Sequence, residues 1–146
     1  MAKKRIGDPW VPAAQYGRSL PKFMVNLLMR DVRSSVEFYQ QVLSVQCVYQ
    51  DEDFAALEFS GFKLMLHADH TYDHHPWYKF LTGNQVRGLG VELRLFDVDP
   101  DLIESKARKF GSPILQKATT KAHGWREAWI QDPAGYVWAV GQATSA

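Results

Sequence analysis

From Phe23 to Met29 the chain is apolar except at Asn26, and it then meets Arg30 and Asp31. A short apolar run with a polar stop predicts a buried strand. Val32, Val36, Phe38, Tyr39, Val42 and Leu43 follow at helical spacing. They predict an amphipathic helix to about Leu43, with Asp31 or Ser34 as its N-cap. Three strands are predicted next, Val45 to Gln50, Phe54 to Phe59 and Phe62 to His67, the last two joined by a tight turn at Ser60-Gly61. The pattern then begins again. A strand from Gly90 to Phe96 is broken by Asp97 to Asp99, and Leu102, Ile103, Lys106, Ala107 and Phe110 supply a helix that stops at Gly111. Strands follow at Ile114 to Lys117, Trp125 to Gln131 and Tyr136 to Val140, with turn chemistry at Asp132-Pro133-Ala134-Gly135 between the last two. The chain therefore reads as α+β, two βαβββ modules at about 22–68 and 88–142 inside a single domain, 22–146. The repeat lies in the pattern and not in residue identity. Residues 1–21 lack periodicity and predict an extended arm, which Trp10 and Tyr16 would pin to the domain surface or to a partner subunit. Residues 69–87 are polar and turn-rich, a linker carrying Pro76, Gly83 and Asn84.

The stretches VNLLMRDVRSSVEFYQQVLSV, RGLGVELRLFDVD and REAWIQDPAGYVWAVGQ resemble the vicinal-oxygen-chelate superfamily, which includes glyoxalases, extradiol dioxygenases and bleomycin-resistance proteins. The resemblance runs from about Lys22 to Gln142, and it is most specific at the D-V-x-x-S-V-x-F-Y helix opening and the D-P-x-G-Y hairpin. It implies two curled mixed sheets around a groove and a homodimer. It also implies, for the enzymes of the group, a divalent metal held by His and Glu on the first and last strand of each module. Aligned through Asp31, the first ligand position falls on Met24; aligned through Asp132-Pro133, the last falls on Ala139. Of the remaining positions only Glu92 and His67 carry suitable side chains. A catalytic cation needs three or four converging oxygen or imidazole donors, so a pair falls short. The expectation is no metal and no other cofactor, with the likeness nearest in character to the metal-free bleomycin-resistance branch.

Bulk properties narrow the rest. The chain has 146 residues, 46% hydrophobic and 23% charged, enough for a real core. A net charge of +1 gives no electrostatic case for nucleic acid or an anionic membrane, and Lys3, Lys4 and Arg5 read as a solvated tail. The single Cys47 excludes an internal disulfide and fits a reducing compartment; in its strand it reads as a small packing residue. No apolar run approaches the roughly 20 residues of a membrane span, and the N-terminus lacks a signal peptide's apolar stretch, so a cytosolic protein is expected. His67, Asp69, His70, Asp73, His74 and His75 look like ligands, but their spacing matches no zinc signature and predicts a solvated loop. His75, Pro76, Trp77 and Tyr78 at its end are expected over a groove mouth or a dimer seam. Neither a nucleophile elbow nor a nucleotide-binding glycine motif is present.

What remains is a groove with soft, flat walls, since five Trp, six Tyr and eight Phe make the chain 13% aromatic. Strand alternation puts Ala139 on the opposite face from Trp138, and Trp125 with Trp129 on the opposite face from Arg126. Met24, Asn26, Met65, Trp125, Trp129 and Ala139 are the candidate walls, and His67, Glu92, Arg94, His123 and Arg126 the candidate polar contacts. The function expected is metal-free binding of a planar or amphipathic small molecule, as in antibiotic-sequestering proteins. The alternative is a lyase or dioxygenase using a metal on His67 and Glu92. A third possibility is an accessory protein whose dimer surface matters more than its groove.

Overall fold

The computed structural model describes residues 2–145. In chain order its elements are α1 (Ala13–Ser19), β1 (Val25–Met29), α2 (Val32–Gln41), β2 (Gln46–Gln50), β3 (Phe54–Phe59) and β4 (Phe62–Ala68), followed by β5 (Glu92–Leu95), α3 (Pro100–Phe110), β6 (Ile114–Thr120), β7 (Trp125–Gln131) and β8 (Val137–Ala143). Among the described residues the strands form two four-stranded sheets, ordered β1-β4-β3-β2 and β5-β8-β7-β6. In each sheet the module's first strand lies parallel to its last, and the other pairs are antiparallel. The α+β expectation of two βαβββ modules is what the structure has.

The chain packs as two compact units, one holding residues up to Val36 and Val45–Thr82, the other Glu37–Ser44 and Gly83 onward. The second half of α2 belongs with the later module because of its packing. Phe38 meets Phe110 edge-on, Tyr39 meets Trp138, and the Tyr39 hydroxyl donates to Asp132 at 2.6 Å. Asp31 is the N-cap of α2: its Oδ1 accepts from the Ser34 amide at 2.8 Å and from the Ser34 hydroxyl at 2.9 Å.

In the first unit, β4 alternates. Leu64, Leu66 and Ala68 are buried, while Lys63, Met65 and His67 face the other way. The two-residue turn at Ser60-Gly61, with Gly61 at φ 73°, pairs Phe59 with Phe62 and so sets Phe54 opposite His67. In the second unit, Asp99 caps α3 by accepting from the Asp101 and Leu102 amides, and Gly111 ends it at φ 89°. Asp132 organises the β7–β8 turn, its Oδ1 accepting the amides of Ala134, Gly135 and Tyr136.

Three local expectations need correction. The arm is not extended throughout: Ala13, Ala14 and Gln15 are good helix formers behind Pro12, and they give the two-turn α1. The linker holds two 3-10 turns, Asp69–Tyr72 and Tyr78–Phe80, short enough to leave no sequence periodicity. The first strand starts at Val25, two residues late, with Phe23 ahead of it 77% exposed. No helix among the described residues is long and apolar enough to cross a membrane.

Candidate functional site

The N-terminal arm folds back over the first sheet on the face that carries Met65 and His67. Trp10 stacks on Tyr49 of β2 at 4.9 Å and 7°, and Tyr16 of α1 meets Phe54 of β3 edge-on at 5.3 Å. Stacks of this kind add about 0.5–1.5 kcal/mol each beyond the area they bury. A polar anchor holds the other end of the arm. The Asp53 carboxylate, 2% exposed, accepts the Lys4 amide at 2.7 Å, the Arg5 amide at 3.3 Å and His70 Nε2 at 2.6 Å. Burial alone would push the Asp53 carboxyl up, but His70 and the two amides hold it below the ordinary value. Asp51 is satisfied beside it, taking the Asp53 and Phe54 amides and the Tyr49 hydroxyl, whose pKa that last bond pushes up to about 12.

Between arm and sheet lies a cavity of about 430 Å³. Trp10, Tyr16, Tyr49, Phe54 and Met65 form its apolar walls, and Lys3, Arg5, His67, Tyr72 and His75 contribute the polar ones. The volume suits a small organic molecule. A smaller cavity of about 230 Å³ shares Trp10 and Tyr16 with it but opens towards half-buried Glu58 and exposed Lys63.

His67 is the chemically distinctive wall. Its Nδ1 lies 2.6 Å from Asn26 Oδ1, and Asn26 Nδ2 donates to the Tyr72 hydroxyl at 2.7 Å. Burial, helped by Lys3, pushes the imidazole down to about 4, so it is neutral at physiological pH. His75 and Trp77 pack around Tyr72, giving the rim an aromatic cluster.

The candidate residues fall in separate places. Met65 and His67 line the cleft, and Asn26 acts behind them through His67 and Tyr72. Met24 precedes β1, half-buried, and is not part of the cleft wall. Glu92, Arg94, Trp125, Trp129 and Ala139 share one face of the second sheet, Arg94 and Trp129 both lying in register with Ala139. Here Arg94 bonds Glu92 at 2.6 Å and Glu127 at 2.5 Å, and Trp129 Nε1 donates to the same Glu127 at 3.2 Å. Burial raises the Glu127 carboxyl, yet Arg94 outweighs it and the net shift is downward. Trp125 packs on Phe96, and Lys121 Nζ sits 4.8 Å from the Trp129 ring. Arg126 points the other way, forked on Asp101 of α3 at 2.7 and 2.8 Å, so it is not a partner of Trp125 and Trp129. His123 is exposed in the β6–β7 turn.

Sequence reading missed Tyr49, Asp51, Asp53, Phe54 and Tyr72, and saw Lys3 and Arg5 only as a tail. The turn at Ser60-Gly61 carried the one usable signal, since counting outward from it places Phe54 beside His67.

The divalent metal common in this fold finds no fit. Met24 and Ala139 offer no donor, and Glu92 is bonded to Arg94. Among the described residues no three His, Cys, Asp or Glu side chains converge as a cation requires. The His-rich stretch disperses in the same way, His67 to Asn26, His70 to Asp53 and His74 to Asp73. Cys47 is half-buried in β2, and burial pushes its thiol up, away from a reactive thiolate.

No family model matches the sequence, and no curated protein matches it. Solved structures do. A glyoxalase/bleomycin resistance protein/dioxygenase family enzyme from Burkholderia phytofirmans superposes with a TM-score of 0.69 at 21% identity, over 82% of this chain and 96% of that one. A glyoxalase/bleomycin resistance protein/dioxygenase from Nocardioides gives 0.66 at 20%, over 91% and 93%. A lactoylglutathione lyase from Agrobacterium tumefaciens gives 0.61 at 16%, over 84% and 95%. These likenesses establish the fold: the chain has the architecture of the glyoxalase/bleomycin-resistance/dioxygenase proteins.

Proposed function

We propose that this vicinal-oxygen-chelate fold serves here as a metal-free binding protein, holding a planar or amphipathic small molecule in the cleft under the N-terminal arm. The observation that carries the reading is the cleft itself, about 430 Å³ walled by Trp10, Tyr16, Tyr49, Phe54 and Met65 with neutral His67 among them. Flat apolar walls with a few fixed polar groups suit stacking and orientation of a ring system. The anilinonaphthalene sulfonate dye is a suitable first probe. It should bind one to one with a rise in emission, and Met65→Arg, which fills the cleft with a charge, should abolish the rise. Dye binding that Met65→Arg leaves intact would place the ligand elsewhere and defeat the proposal.

The alternative, a lyase or dioxygenase with a metal on His67 and Glu92, has less support because Glu92 is already committed to Arg94. In the same reading the protein is a cytosolic homodimer. Leu89, 83% exposed, with Val91 and Phe96 flanking the edge strand β5, supplies apolar surface for a second copy. Light scattering on the purified protein and on Leu89→Glu tests this, a monomer in both cases counting against it.

A further inference from the structure

The His67–Asn26–Tyr72 chain deepens that reading and rests on it. Asn26 Oδ1 lies 2.6 Å from His67 Nδ1, and an amide oxygen can only accept, so Nδ1 carries the imidazole proton. Nε2 is therefore a bare lone pair. The same amide donates from Nδ2 to the Tyr72 oxygen at 2.7 Å, which uses a lone pair of the phenol and leaves its hydrogen to be given elsewhere. His67 and Tyr72 both line the cleft, their rings 5.6 Å apart and edge-on. Among the described residues neither His67 Nε2 nor the Tyr72 hydrogen has a hydrogen-bond partner. One asparagine thus fixes one wall as an acceptor beside a donor, both uncharged.

A ligand that satisfies this wall must offer the complement, an N–H towards Nε2 and a carbonyl oxygen towards the phenol. Its flat body must also suit Phe54, Met65 and Trp10. A carboxylate or ether oxygen placed at Nε2 would set lone pair against lone pair, and a purely apolar ring would leave both groups dry and unpaired. We propose that the cleft selects lactam-type rings, planar and uncharged, with adjacent ring N–H and C=O, the N–H donating to His67 and the C=O accepting from Tyr72.

Three probes of nearly one shape test this: 2-quinolone, N-methyl-2-quinolone and naphthalene, each titrated by quenching of tryptophan emission and by calorimetry. The expected result is 2-quinolone tighter than its N-methyl analogue by about tenfold, the worth of one hydrogen bond in a dry site. His67→Phe should reduce that preference to within about twofold, Tyr72→Phe should weaken both quinolones by a similar factor, and naphthalene, which leaves both groups unpaired in the wild type, should bind either variant more tightly. Equal affinities of the two quinolones, with naphthalene also bound, would overturn the lactam inference and leave the cleft reading standing. Binding of no probe would overturn both. If either variant fails to fold, nitrogen NMR of the wild type still decides the tautomer. A proton on Nδ1 of His67 is expected, and a proton on Nε2 would end the proposal.

Discussion

His67 enters the folded state uncharged, and that choice has a thermodynamic signature. Its pKa moves from 6.5 to about 4, so between those values the unfolded chain binds a proton that the folded chain refuses. Stability therefore falls as pH drops from about 6.5 to about 4 and is unaffected by this group outside that window. A shift of this size corresponds to about 3 kcal/mol at most. Asp132 has the opposite sign. Burial raises it from 3.8 to about 6, so its folded form holds a proton that the unfolded chain releases, and stability falls as pH rises through that window. The two windows overlap and partly cancel in the native protein. The difference between wild type and His67→Gln isolates the histidine: urea denaturation from pH 4 to 7 should show wild type losing stability relative to the variant as the solution is acidified. Parallel profiles would mean that His67 is already solvated or charged in the fold. None of this was legible in the sequence, where His67 stood among four histidines with nothing to say which was buried against an amide.

At the scale of elements, the arm and the sheets differ in how much the sequence disclosed. Strand and helix positions followed from local patterning, and the Ser60-Gly61 turn carried, unread, the pairing of Phe54 with His67. The arm's docking depends instead on Asp53, 49 residues from Lys4 along the chain, and no local pattern encodes a contact of that range. Removing the anchor tests its role. Asp53→Ala should cost about 3 kcal/mol, the value of several hydrogen bonds to a buried carboxylate, and should speed amide exchange throughout α1. Exchange in β5 to β8 should not change. A second element-scale prediction concerns β8, where Gly141 crosses so close to Arg126 and Glu127 of β7 that an added Cβ would collide with the backbone oxygen of Arg126. Gly141→Ala should therefore cost about 2 kcal/mol by chemical denaturation, although its backbone needs no unusual angle.

For the whole molecule, a two-module α+β chain was readable because each module repeats the same order of periodicities. What the repeat concealed was the division of labour between its halves. The site candidates looked like one groove, yet the open cleft belongs to the first unit, while on the second sheet Arg94, Glu92, Glu127 and Trp129 occupy one another. Side chains already paired in this way leave nothing for a cation, so protein purified without tag or chelator should contain well under one metal per chain by mass spectrometry. Its melting temperature and dye binding should also be indifferent to EDTA. Stoichiometric metal lost on Glu92→Gln would reverse the assignment. The arm's anchor carries a different consequence, for how such a chain can drift over generations. Asp53 grips the backbone amides of positions 4 and 5, and every residue but one supplies such an amide. Substitutions at exposed position 4 can accumulate freely, provided none is proline. A single inserted or deleted residue between Arg5 and Trp10 would force a choice between keeping the anchor and keeping the stack on Tyr49. Selection on this stretch should therefore act on its length far more than on its letters.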